Sequence, residues 1–255
     1  MKAETLYEHN GHQWIAFGRD PEKPNFVIDT NEYMVMSGAS AMIMDPGGVE
    51  IFPEVITAIS KFMPVSGIKA IFGSHQDPDI LSSLSLWLDM CRDAKVYVPW
   101  VWTDFITHFG CDKSRMIPIP DEGMPIDVSP SLKVEAIPAH YLHSSGNHHI
   151  YDSQARIYFS GDVGAALVPP DFTGMFVEDF DKHIRYMEGF HRRWMPSNRA
   201  RDVWIERVRP LKIDMLCPQH GAIFTGKDVE RFLDWFSTLE LGSAVEPKEV
   251  KPHAA

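Results

Sequence analysis

Four short stretches of the 255-residue chain carry imidazole groups, carboxylate groups or both. They are His75-Gln76-Asp77-Pro78-Asp79, His140-Tyr141-Leu142-His143, Ser160-Gly161-Asp162 and Gln219-His220-Gly221. Imidazole nitrogens and carboxylate oxygens are the donors with which proteins hold transition-metal ions. In an extended chain, residues 75, 77 and 79 point to one side because strand side chains alternate. Pro78 fits that geometry by favouring an extended Asp77. Each stretch also has a plain structural reading. Asp77-Pro78 suits a turn with Asp79 capping a helix, Gly161-Asp162 suits another turn, and a single histidine suits a loop. Those readings leave the shared placement unexplained. Each stretch follows a strand-like run, and glycine lies at or beside three of them, where it lets backbones approach closely.

Strand-like runs cover residues 26–29 and 33–44, Ile68–Phe72, Lys95–Pro99 and Met116–Ile119, then LKVEAIPAHYLHSSGNHHIYD, ARIYFSGD and 213–217. Helical patterns cover 52–62, 101–109, Phe180–Trp194 and 200–207. A further helix is marked by Ile80, Leu84, Trp87, Leu88 and Cys91 at helical spacing, and a last one from Asp228 by the stripe Val229, Phe232, Leu233 and Phe236. An α/β fold of mixed sheets with helices on the outer faces, a four-layer αββα sandwich, satisfies this order. Residues 1–241 show no break in composition and read as one domain. Residues 242–255 (GSAVEPKEVKPHAA) read as a flexible C-terminal tail.

Composition narrows the partners. Lys and Arg total 24 against 35 Asp and Glu, a net charge of −11, which disfavours nucleic acid or an anionic membrane as the main partner. The three cysteines, Cys91, Cys111 and Cys217, lie far apart and form neither a disulfide framework nor a thiolate zinc site. With no signal-like or membrane-spanning apolar run, the chain is expected to be cytoplasmic, with no membrane insertion.

The ordered set of motifs resembles the metallo-β-lactamase superfamily, and within it the flavodiiron proteins and their shorter oxygen-binding diiron relatives, over roughly residues 5–240. The first motif of that family, His-x-Glu-x-Asp, is matched by His75, Asp77 and Asp79, with the shorter carboxylate in the middle. The resemblance assigns the next ligand to His143 rather than His140, the bridging aspartate to Asp162 and the last histidine to His220. It implies a metal set of His75, Asp77, Asp79, His143, Asp162 and His220. His75, Asp77 and His143 would bind one iron, and Asp79 and His220 the other. The implied cofactor is two iron ions (Fe2+/Fe3+) with a bridging oxo or hydroxo group or O2. Three carboxylates in place of additional imidazoles also shift preference from zinc towards iron or manganese. Two departures stand out. A histidine often follows the first motif in the family, and Ile80 stands there instead, expected to pack in the core. Also unlike the full flavodiiron proteins, this chain is expected to carry no FMN domain.

The resemblance implies a non-haem di-iron protein that binds O2 or NO and acts as an oxygen sensor or carrier, with a link to chemotaxis-type signalling. Two alternatives are an O2/NO reductase fed by a separate flavin or rubredoxin donor, and a zinc-dependent hydrolase with a metal-bound water as nucleophile. A signalling or electron-donor protein and a homodimer are the implied partners. His140, His148 and His149 read as neighbours of the ligands or plain loop residues. Tyr141 and the segment 191–200 read as a lid or as groups packed around the ligands, although Trp194 is expected in the core.

Overall fold

The computed structural model describes residues 1–18 and 28–245. Two strands not anticipated above, β1 (Lys2–His9) and β2 (His12–Gly18), form a hairpin closed by Asn10 and Gly11. Both turn residues take positive φ (50° and 78°), the backbone that a two-residue hairpin loop matching strand twist requires. β3 (Asn31–Ser37) and β4 (Ser40–Met44) continue the antiparallel run, and β5 (Ile68–Phe72), β6 (Lys95–Pro99) and β7 (Met116–Ile119) add in parallel. These seven strands form one sheet in chain order. Of the run expected at 26–29, Ile28 and Asp29 lie outside any strand, and Phe26 and Val27 lie outside the described residues.

The second sheet holds β8 (Met124–Ser129), β9 (Leu132–Pro138), β10 (His148–Asp152), β11 (Ile157–Gly161), β12 (Met215–Pro218) and β13 (Phe224–Thr225), with β13 and β8 at its edges. Its pairing is antiparallel except between β11 and β12, which run parallel.

Helices α1 (Phe52–Ile59), α2 (Pro78–Leu81), α3 (Leu84–Met90) and α4 (Thr103–Ile106) follow the first sheet's strands, and α5 (Phe180–Trp194), α6 (Asn198–Val208) and α7 (Lys227–Thr238) the second's. The single helix expected through Ile80 and Cys91 is interrupted. The Ile80 carbonyl accepts from Gly47 N (3.0 Å) instead of continuing the helical ladder, and the Ser83 hydroxyl donates to Gly47 O (2.6 Å). The helix expected at 101–109 is α4 flanked by two tight three-residue turns.

Strand alternation yields three apolar layers. Trp14, Val35, Met42, Phe72, Ile150 and Phe159 pack between the sheets. Ile15, Phe17 and Ile43 face Val55, Leu84 and Trp87 outside the first sheet, and Tyr158 and Leu216 face Met187, Trp204 and Phe232 outside the second. The expected αββα sandwich is the observed fold. Near the chain's end, Gly242 N bonds Met195 O (3.0 Å) and Ser243 N bonds Arg192 O (2.9 Å), while 246–255 lie outside the described residues.

Candidate metal centre

Parallel pairing decides where the chemistry-bearing side chains arrive. β4 and β5 end at one rim because they are parallel, as do β11 and β12 on the facing sheet. β10 runs antiparallel to both β9 and β11, so the β9–β10 loop reaches that rim too. His75 follows β5, His143 lies in the β9–β10 loop, Asp162 follows β11 and His220 follows β12. Gly221, at φ +84°, fixes the last of these. A Cβ there would lie 2.6 Å from the Ala166 Cβ, so glycine is what lets the His220 loop pack on the segment after Asp162.

The first motif is not extended throughout. Asp77 is (φ −66°, ψ 147°), but α2 begins at Pro78, so the helix rather than strand alternation turns Asp79 inward. Asp77 occupies the N-cap of α2 without accepting a capping bond. Gln76 Nε2 donates to its Oδ1 (2.9 Å), and its Oδ2 lies 3.6 Å from His75 Nε2 and 3.5 Å from His143 Nε2. A carboxylate suited to capping is thus diverted towards two imidazoles.

All six expected residues converge, and Asp162 divides them. Its Oδ2 lies 2.7 Å from His143 Nε2 and 3.5 Å from His75 Nε2, while its Oδ1 lies 3.4 Å from His220 Nε2. Asp79 Oδ2 is 3.4 Å from the same His220 nitrogen. His75 and His143 therefore gather on one Asp162 oxygen with Asp77 against both rings, and His220 on the other with Asp79 against its ring. The donor atoms of His75, His143 and Asp162 all lie within 4.8 Å of one another. His75 Nε2 and Asp162 Oδ1 are buried without a hydrogen-bond partner, which costs about 1–3 kcal/mol per group unless something else satisfies them. Three imidazoles and three carboxylates aimed at a shared point fit a pair of hard cations.

The electrostatics agree. Burial acts to lower the His75 pKa, but the Asp162 and Asp77 carboxylates outweigh it and hold the ring well above the usual imidazole value. Burial likewise opposes protonation of His220, and Asp162, then Asp79, bring it up to about 9. Burial acts to raise Asp162, yet His143, His220 and His75 hold it well below the carboxylate range. Asp79 is raised, chiefly by burial. The anionic pocket concentrates positive charge, and an entering cation competes with these protons.

Sequence reasoning missed the supporting groups. Asp45 is fully buried; its Oδ1 accepts from Ser74 N (2.7 Å) and its Oδ2 from the Ser74 hydroxyl (2.6 Å). Ser74 Oγ is then left to accept from His75 Nδ1 (2.8 Å), which keeps the Nε2 lone pair directed at the centre. His220 Nδ1 donates to Asp29 O (2.9 Å). His191 Nδ1 donates to Met187 O (2.9 Å) and its Nε2 accepts from Gly164 N (2.9 Å), steadying the segment after Asp162. The signal for Asp45 was its position directly after a strand parallel to the one that leads to His75.

Other histidines turn away. His140 Nε2 meets Asp121 O (2.8 Å). His148 lies between Gly146 O and Pro120 O (3.0 Å each), and His149 between Tyr158 and Trp204; both sit buried on β10 rather than in a loop. Ile80 is fully buried with Leu84 and Trp87, as expected. Trp194 departs from expectation. It is 55% exposed, stacked on Phe190 (5.8 Å) and edge-on to His143 (5.6 Å), because its position on α5 faces the rim rather than the core.

A family model described as ODP family beta lactamase matches residues 28–221. Among solved structures, the chain is similar to a peroxy di-iron species of the chemotaxis sensor ODP, with 42% identity, a TM-score of 0.85 and coverage of 96% of this chain and 98% of that one. It is similar to the apo state of the chemotaxis sensor ODP from T. denticola, at 42% identity and a TM-score of 0.87, covering 96% and 97% of the two chains. A flavo di-iron protein from Thermotoga maritima shares 20% identity at a TM-score of 0.78, over 92% of this chain and 60% of that one, a likeness of fold alone. No curated protein sequence matches the chain.

Proposed function

The chain belongs to the ODP beta-lactamase family, and from that membership we propose a non-haem di-iron protein that binds O2 and acts as an oxygen sensor or carrier in chemotaxis-type signalling. The observation that carries the reading is the division of Asp162, whose two oxygens serve two separate groups of donors. His75, Asp77 and His143 would hold one iron, Asp79 and His220 the other, and Asp162 both. Bound there, a ferrous pair supplies electrons and a coordination position for a diatomic gas.

The chain's own residues prepare that position. Asp45 and Ser74 fix the His75 tautomer, Asp29 fixes His220, and Gln76 turns Asp77 away from its helix. Ile80, packed in the core where a further imidazole often stands in the resembling family, leaves the second group one nitrogen poorer. Phe190 and Trp194 lie against His143 and limit water on that side.

The test is anaerobic purification with metal quantitation and optical spectra before and after O2. About two irons per chain and an oxygen-dependent visible band support the reading. Stoichiometric zinc with hydrolase activity overturns it. Release of O2 under vacuum supports a sensor or carrier; consumption only with added reductant supports a reductase.

A further inference from the structure

The carboxyl-terminal end of α5 joins three features that the gas site alone does not require. Phe190 and Trp194 both contact the His143 ring, at centroid distances of 6.2 and 5.6 Å. One residue after Phe190, His191 accepts the Gly164 amide, two residues beyond Asp162. A single surface helix therefore touches the segments carrying two of the proposed ligands, from opposite halves of the second sheet. At the same end, Trp194 is 55% exposed, and Tyr141, two residues before His143, is 54% exposed.

The sequence around Trp194 is locally basic, although Glu188, Asp202 and Glu240, whose Oε1 accepts from Asn198, lie at its margins. Residues 189–201 contain four arginines and neither Asp nor Glu, in a chain of net charge −11. Arg192 pairs with Glu188 (3.6 Å) and Arg201 with Asp202 (2.7 Å), but Arg193 and Arg199 form no ion pair among the described residues. Both are exposed, one beside Trp194 and the other at the start of α6. An exposed tryptophan with unpaired arginines is the composition of an interface anchor.

We infer that the surface around Trp194, Arg193 and Arg199 docks an acidic patch of a partner protein, and that the state of the gas site changes how tightly that partner is held. The inference rests on the function proposed above. A folded partner with a small acidic patch samples the local basic field within a Debye length of about 8 Å. A membrane or nucleic acid meets the repulsion of the whole acidic surface. When the His143 ring or the Asp162 segment shifts, Trp194 and His191 must repack, because each is in direct contact with one of them. Linkage then requires the partner to change gas affinity by the same factor that gas changes partner affinity.

The probe is a fluorescein-labelled, glutamate-rich peptide with a central phenylalanine, titrated against the iron-loaded full chain with and without O2. Binding is expected to weaken with salt, to fall about tenfold or more in Arg193→Glu/Arg199→Glu at unchanged iron content, to fall by less in Arg193→Gln, and to differ severalfold between the two gas conditions. Unchanged binding in the charge-reversed variant, or equal affinity with and without O2, overturns the inference. So does sedimentation showing that Trp194→Ala converts a dimer to monomer, which assigns the face to a second copy. If the wild-type chain takes up no iron, the functional reading fails, and the charge-reversal comparison still reports on the docking face.

Discussion

The Asp162 carboxylate meets the His143 ring at 2.7 Å through one oxygen, leaving the other, 3.4 Å from His220, for the opposite half of the cluster. Two consequences differ in kind. Asp162→Asn removes negative charge from both groups at once and is expected to reduce bound iron from about two per chain to well below one. Asp79→Ala removes a donor from one group only and should leave about one iron per chain. Metal analysis of the two purified variants checks this; equal occupancy in both contradicts the division of ligands.

Asp45 acts at a distance, through Ser74. Asp45→Asn offers an amide where a carboxylate accepts the Ser74 hydroxyl, so Ser74 loses its fixed orientation and His75 its fixed tautomer. Loss of such a supporting group typically costs 10–100-fold in metal affinity. Chelator competition should show a loss of that size in Asp45→Asn and a smaller one in Ser74→Ala. Nitrogen NMR of the His75 ring, recorded on the stripped protein at a pH high enough to deprotonate it, should show a mixture of tautomers where the wild type has one.

What the sequence made legible and what it hid have separate physical causes. The ligand segments were readable because chemistry restricts their residue types, and β5, α5 and β11 because their apolar patterns persist over a whole element. The β1–β2 hairpin was not legible although Asn10-Gly11 is a strong turn signal, because the edge strand β1 is mostly polar and exposed and β2 carries polar residues within its apolar run. The break between α2 and α3 depends on Gly47, more than thirty residues away, and no local pattern reports such a bond. Trp194 was misplaced for a similar reason. Helical periodicity locates α5, but whether its last turn reaches the core or the rim is decided by where the β9–β10 loop delivers His143.

Ile80 tests whether the missing imidazole can simply be restored. Its side chain is fully buried among Leu84, Trp87 and Leu88, on the side of α2 away from the centre. Ile80→His is therefore expected to bury an unsatisfied polar ring and destabilise the fold by about 3 kcal/mol without increasing iron content. Thermal denaturation and metal analysis on one preparation check both parts. A variant of normal stability with tighter iron binding contradicts the placement.

The pH dependence of stability separates the chelator-stripped protein from the loaded one. His220 has a folded pKa raised to about 9, above its unfolded value near 6.5, so its contribution is complete below about 6.5 and is lost as pH rises through 9. His75, also raised, acts in the same direction. Asp45, pushed up to about 7 by burial, adds a loss between about 4 and 7, its unfolded and folded values. Asp162 has the opposite sign: its folded pKa is depressed, so its contribution is present above about 4 and is lost on acidification. The stripped protein should therefore lose thermal stability from pH 6.5 to 9. Cation binding runs the other way, since the displaced protons are released more easily as pH rises. The gap in Tm between the loaded and stripped forms is expected to widen steadily over that interval. His220→Gln should flatten the upper part of the stripped protein's profile, and a profile that keeps its wild-type slope in that variant would place the titrating group elsewhere.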